Sequence, residues 1–146
     1  MDGAVHAAGK IGQAFSYDGV NDFHEAPYNA AFNPSIFTVE AWVRSTGGGD
    51  YRGIISSRDG TTYRGYILYV APSGQLEFWL GTGSGWSIAT GPVISSNTWT
   101  HVAGTYDGTT ARFYVNGTLA GSTTTTFLAN TTMPLRIGAC ANEGLA

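Results

Sequence analysis

Residues 99–122 read WTHVAGTYDGTTARFYVNGTLAGS. Apolar and polar side chains alternate with a period of two, and Asp107-Gly108 and Asn116-Gly117 cut the run into three pieces. Period two places alternate side chains on opposite faces of a strand. Asp-Gly and Asn-Gly accept the positive φ that tight hairpin turns demand. The stretch therefore predicts three antiparallel strands, 99–106, 111–115 and 118–122, joined by short turns.

The same alternation recurs upstream. Phe37, Val39, Ala41 and Val43 share one face and Thr38, Glu40 and Trp42 the other. Leu76, Phe78 and Leu80 oppose Glu77 and Trp79. Further strands are predicted near 13–17, 22–26, 53–58, 64–71, 86–90 and 135–138, with a Pro-containing loop over 26–35 that has room for a single helical turn. Many short strands with regular turns define an antiparallel sandwich. A chain of 146 residues suits one domain, residues 1–146.

Charge narrows the function classes. Charged residues make up 12% of the chain, about half the usual share of ~25%. The formal net charge is −3, with no run of Lys or Arg, so a nucleic-acid partner is not expected. No apolar stretch reaches the ~18 residues of a membrane span. The chain opens without a signal-peptide pattern. Cys140 is a single cysteine, read as a small buried hydrophobe. His6, His24 and His101 show no metal-type spacing.

Against that background the segment YDGVNDFHE, residues 17–25, concentrates acids. Asp18, Asn21 and Asp22 around one turn offer carboxylate and carbonyl oxygens, the donors Ca²⁺ prefers; Glu25 is a weaker candidate. The alternative is that Asp18 and Asn21 cap the turn. Tyr69, Trp79, Trp86 and Tyr114 fall on the polar side of the alternation, beside Glu77 and Arg112. Exposed rings next to hydrogen-bonding groups suit carbohydrate, whose C–H faces stack on aromatic rings. Glu40 and Glu77 each stand alone in their strands, without the paired acids of glycoside hydrolysis, and no G-x-S-x-G pattern occurs. No catalysis is expected.

The blocks GQAFSYDGVNDFHEAP, FNPSIFTVEAWVRS, NTWTHVAGTYDGTTARFYVNGTLAGS and PLRIGACANEG, in that order, resemble laminin-G-like domains of bacterial type in the concanavalin A-like lectin superfamily. The resemblance runs from about Gly9 to Gly144. It implies an all-β jelly-roll β-sandwich, an extracellular, secreted or cell-surface setting, and a non-catalytic role in binding glycans or surface proteins. It also implies a structural Ca²⁺ with Asp18 as its best single ligand, core packing for Trp42 and Trp99, and a structural role for His101. The family pattern continues past "RIGA" into a closing strand whose Asp completes the calcium site; this sequence stops at Ala146. An open sheet edge is thus expected there. A second reading follows from it: a structural or adhesive domain that forms homo-oligomers or accepts a strand from a partner chain.

Overall fold

The computed structural model describes residues 3–46 and 49–139. Cys140 and the end of the chain, on which the expected open sheet edge depends, lie outside the described residues. Twelve strands follow one another: β1 Val5–Ala8, β2 Gln13–Ser16, β3 His24–Ala26, β4 Phe37–Val43, β5 Arg52–Ser56, β6 Tyr66–Val70, β7 Gln75–Gly81, β8 Trp86–Val93, β9 Thr100–Tyr106, β10 Thr110–Val115, β11 Thr118–Thr124 and β12 Leu135–Ile137. A single 3₁₀ turn, Ala30–Phe32, occupies the Pro-containing loop, with Asn29 Oδ1 accepting from the Ala31 N–H.

The strands form a six-stranded sheet, β3-β12-β5-β6-β7-β8, and a four-stranded sheet, β11-β10-β9-β4; β1 and β2 make a separate hairpin. Every strand pairing is antiparallel. The two predicted hairpins form in the expected register, with Ala111 opposite Tyr106 and Val115 opposite Thr118. The sequence reading missed β1, Val5–Ala8, because VHAA carries a single large apolar residue and so shows no alternation.

Alternation places the core between the two larger sheets. Leu68, Val70, Leu76, Phe78 and Leu80 point inward from β6 and β7, and Val39, Val102, Ala111 and Phe113 meet them from the four-stranded sheet. Phe37, Tyr66, Tyr106 and Phe127 close one end through ring contacts of 4.8–6.3 Å. Each fully buried Leu, Val or Phe contributes about 1.5–3 kcal/mol relative to exposure. This packed interior holds both sheets rigidly, and whatever the outer faces display is displayed on a fixed platform.

Two tryptophans depart from expectation. Trp42 is 41% exposed on the outer face of β4, not in the core. It follows the alternation, which puts it with Thr38 and Glu40, and it packs against His101 at 5.2 Å with Lys10 Nζ 5.3 Å from its ring. Trp99 is half-buried at the start of β9 with the Arg44 guanidinium 5.3 Å above it. Each ring has a cation over it, and neither belongs to the main apolar cluster. His101 shares that outer face, its Nε2 lying 3.6 Å from Glu40 Oε2.

Candidate functional site

The outer face of the six-stranded sheet is apolar where an ordinary solvent face would be polar. Pairing fixes which residues share it. Ser56 stands opposite Ile67, Ile67 opposite Trp79, and Trp79 opposite Ile88. One step along, Tyr69 stands opposite Glu77, and Trp86 opposite Gly81. Ile67 and Tyr69 form a small cluster of their own beneath Trp79 and Trp86, separate from the main core. Four of the residues expected from sequence, Tyr69, Glu77, Trp79 and Trp86, are thus brought together.

Hydrogen bonds set the rings. Trp79 Nε1 donates to Glu77 Oε2 at 2.7 Å; residues two apart on one strand face the same way, so the carboxylate fixes the indole. A hydrogen bond to a charged group is worth about 1.5–3 kcal/mol. Arg58 Nη1 donates to the Tyr69 hydroxyl at 2.8 Å, and the Arg58 guanidinium lies 5.5 Å from the Trp86 ring. Tyr69 itself is fully buried, so its ring supports the site from below.

Two tyrosines that sequence reasoning did not select complete the face. Tyr51 packs edge-on to Tyr69 and Trp79 at 5.1 and 5.8 Å. Tyr63 packs edge-on to Trp86 at 6.0 Å. Both come from segments outside the alternating strands, where periodicity assigns no face. Tyr63 has φ +52°, a left-handed conformation that costs a bulky residue about 1–2 kcal/mol. The loop holds it there: Asp59 accepts from the Thr61 and Thr62 N–H groups and the Thr62 hydroxyl, and the Gly83 N–H donates to Tyr63 O at 2.9 Å. A Cβ on Gly81 would sit 2.4 Å from Tyr63 O, so glycine on the outer side of β7 is what lets this loop lie on the sheet.

At the far side of the same sheet, Arg136 Nε donates to Glu25 Oε2 at 2.7 Å, and Phe23 lies under the guanidinium. The register chain Glu25–Arg136–Ser56–Ile67–Trp79 places this pair on the aromatic face.

Arg112 and Tyr114 do not join the site. They alternate with the buried Phe113 on β10 and so face outward from the other sheet, on the opposite side of the sandwich. Arg112 Nη1 donates to Asp107 Oδ2 at 2.5 Å and holds that carboxyl far below the usual range. The pattern "polar side of a strand" was read correctly, but it is the same signal on both sheets.

Asp18, Asn21 and Asp22 do lie at one turn. Asp18 Oδ1 accepts from the Val20 N–H at 2.8 Å and from the Asn21 N–H at 3.4 Å, and Asp22 Oδ2 accepts from the Asp18 N–H at 3.0 Å. The backbone N–H groups that reach the Asp18 carboxyl, Val20 first, hold it below its ordinary value. Glu25 turns away to Arg136. The donor set is all oxygen and suits Ca²⁺ in kind, with two carboxylates out of the six to eight oxygens it takes. Among the described residues no group of three or more His, Cys, Asp or Glu gathers to hold a metal.

Two recesses lie elsewhere. One of about 160 Å³ is lined by Ser45, Val70, Pro72 and Ile94, and a shallower one of about 630 Å³ by Pro92, Val115 and Leu119. The aromatic site is an open sheet face, not a cavity.

Two antiparallel sheets packed as a jelly roll, one with an aromatic outer face, define a sandwich of the lectin type. The chain belongs to the concanavalin A-like lectin/glucanases superfamily, whose laminin-G-type family model matches residues 18–145. No curated protein matches it in sequence. Solved structures share the fold. The CBM40 of Ruminococcus gnavus IT-sialidase bound to α2,3-sialyllactose aligns with TM-score 0.64 at 15% identity, over 76% of this chain and 67% of that one. Domain 4 of an extracellular arabinanase of family GH43 from Geobacillus stearothermophilus, in complex with arabinotriose, aligns with TM-score 0.64 at 22% identity, over 92% and 65%. The carbohydrate-binding module CBM66 from Bacillus subtilis gives 0.57 at 18%, over 92% and 84%. Among the described residues, no helix is long and apolar enough to cross a membrane.

Proposed function

We propose that this chain is a non-catalytic, extracellular carbohydrate-recognition module, binding on the outer face of the six-stranded sheet. The observation that carries the reading is the assembly of Trp79 and Trp86 with Tyr51 and Tyr63 above a buried Ile67–Tyr69 base. Rings held by a carboxylate and an arginine present flat apolar surface with polar groups alongside, which matches the two-sided chemistry of a sugar. Solved relatives of the fold that carry sialyllactose and arabinotriose support it. Glu77 orients the Trp79 indole, and Arg58 holds the Tyr69 hydroxyl beneath the rings. Ca²⁺ at Asp18, Asn21 and Asp22 is part of the proposal, as a structural ion that ties the β2–β3 turn down.

A glycan array probed with the protein, with and without chelator, is the test. Binding to a defined glycan set that Trp79→Ala and Trp86→Ala abolish, with both variants folded by circular dichroism, is expected. No glycan bound at saturating Ca²⁺ would defeat the proposal. The metal is tested separately by melting temperature, because a ligand bound only by the native state raises it by mass action. A melting temperature unchanged by millimolar Ca²⁺ would remove the ion from the account.

A further inference from the structure

We infer that the aromatic face takes an extended, soluble oligosaccharide whose successive units turn relative to one another, in preference to a single terminal sugar or the flat surface of a crystalline polysaccharide. The inference rests on the carbohydrate reading above and deepens it. Four rings are linked in succession by neighbouring contacts: Tyr51 to Trp79 at 5.8 Å, Trp79 to Trp86 at 6.0 Å, Trp86 to Tyr63 at 6.0 Å. Each step is comparable to one sugar unit of an extended chain, so a chain that follows these contacts meets the rings with more than one unit. The planes of successive rings differ by 76°, 49° and 68°. A planar ribbon cannot stack on rings so turned; a chain that twists between units meets each in its own orientation.

The ends of this succession are its open positions. Tyr51 is 39% exposed and Tyr63 is 40% exposed, while Trp79 and Trp86 between them are half-buried. Tyr63 is held in a left-handed conformation that tyrosine disfavours, over a glycine that leaves room for it. Strain of this kind at an exposed ring fits a position kept for contact with a ligand. The two tyrosines therefore mark the outer limits of the site, and the tryptophans its centre.

Calorimetry on the full chain with mono- to hexasaccharides of the arabino-, xylo- and malto- series, and a pull-down on microcrystalline cellulose, test this. In at least one series affinity should rise about tenfold or more from mono- to tetrasaccharide and then level off, while the protein stays off cellulose. Tyr63→Gly removes the ring and relieves the left-handed strain, which offsets part of the lost Trp86 packing, and circular dichroism checks that it folds. It should weaken tetrasaccharide binding about tenfold, and by a larger factor than it weakens disaccharide binding. Equal affinity for mono- and tetrasaccharide, retention on cellulose, or Tyr63→Gly binding tetrasaccharide as the parent does would overturn the inference while leaving carbohydrate binding standing. Silence from every glycan would defeat the underlying reading and this inference with it.

Discussion

A single carboxylate sets the orientation of the central ring. With Glu77 Oε2 accepting from Trp79 Nε1, the indole N–H is satisfied in a half-buried position. Glu77→Gln keeps an acceptor there and is expected to cost little. Glu77→Ala leaves the half-buried N–H without its partner and should cost about 1 kcal/mol, the low end of the penalty for an unmet donor. Urea unfolding of the two variants side by side measures the difference; equal midpoints would show that the bond does not hold the ring. Gly81 works at the same scale. A methyl added there would meet backbone, Tyr63 O at 2.4 Å and Arg64 Cα at 2.6 Å, with no flexible side chain to yield. Gly81→Ala should therefore destabilise by about 1–3 kcal/mol and push the Tyr63 loop off the sheet. Loss of Tyr63–Trp86 ring contacts in the nuclear Overhauser spectrum would report the displacement, and an unmoved loop with unchanged stability would refute it.

Strand elements were legible in the sequence because period two and Asn-Gly or Asp-Gly turns are local signals. The β10–β11 turn shows this most directly: Asn116 and Gly117 have φ +50° and +80°, the pair of positive values a type I′ turn requires. Gly117→Ala should cost about 1 kcal/mol in left-handed strain. Asn116→Ala should cost more, because Asn116 Oδ1 also accepts from the His101 N–H and that donor would lose its partner. Urea midpoints order the two, and the reverse order would contradict the role of the side-chain bond. What local signals cannot convey is which sheet a strand joins. Tyr114 and Trp79 occupy equivalent positions in their own alternations, and only the strand order separates them to opposite faces. Tyr51 and Tyr63 were invisible for the complementary reason: they reach the site from loops, through contacts with strands distant in sequence. Trp42 was the inverse error, where a family pattern was preferred over an alternation that had already placed it outside.

At the scale of the molecule, titration marks both ends of the stability range. Burial pushes Tyr66 up to about 12 from 10.0, and burial followed by the charge of Asp22 does the same for Tyr17. The fold thus favours the neutral phenols. Their contribution is complete below the unfolded value of 10.0 and is lost as pH rises toward 12. Asp107, Asp59 and Asp18 are shifted the other way, held down chiefly by the Arg112 side chain, the Thr62 hydroxyl and the Val20 N–H respectively. Their contribution is present above an unfolded value of about 3.9 and is lost as pH falls through the lower folded values. Urea midpoints should therefore decline above about pH 10 and again below about pH 4. Tyr66→Phe separates this residue from the rest. It leaves Phe32 O without the hydroxyl that donates to it at 3.1 Å, so the variant should start less stable at neutral pH. Having no phenol to ionise, it should then lose less between pH 10 and 12 than the parent does. Parallel curves across that interval would mean that the buried phenol does not govern the alkaline limit, and that the closed end of the sandwich, where Phe37 stacks on Tyr66 at 4.8 Å, tolerates the charge.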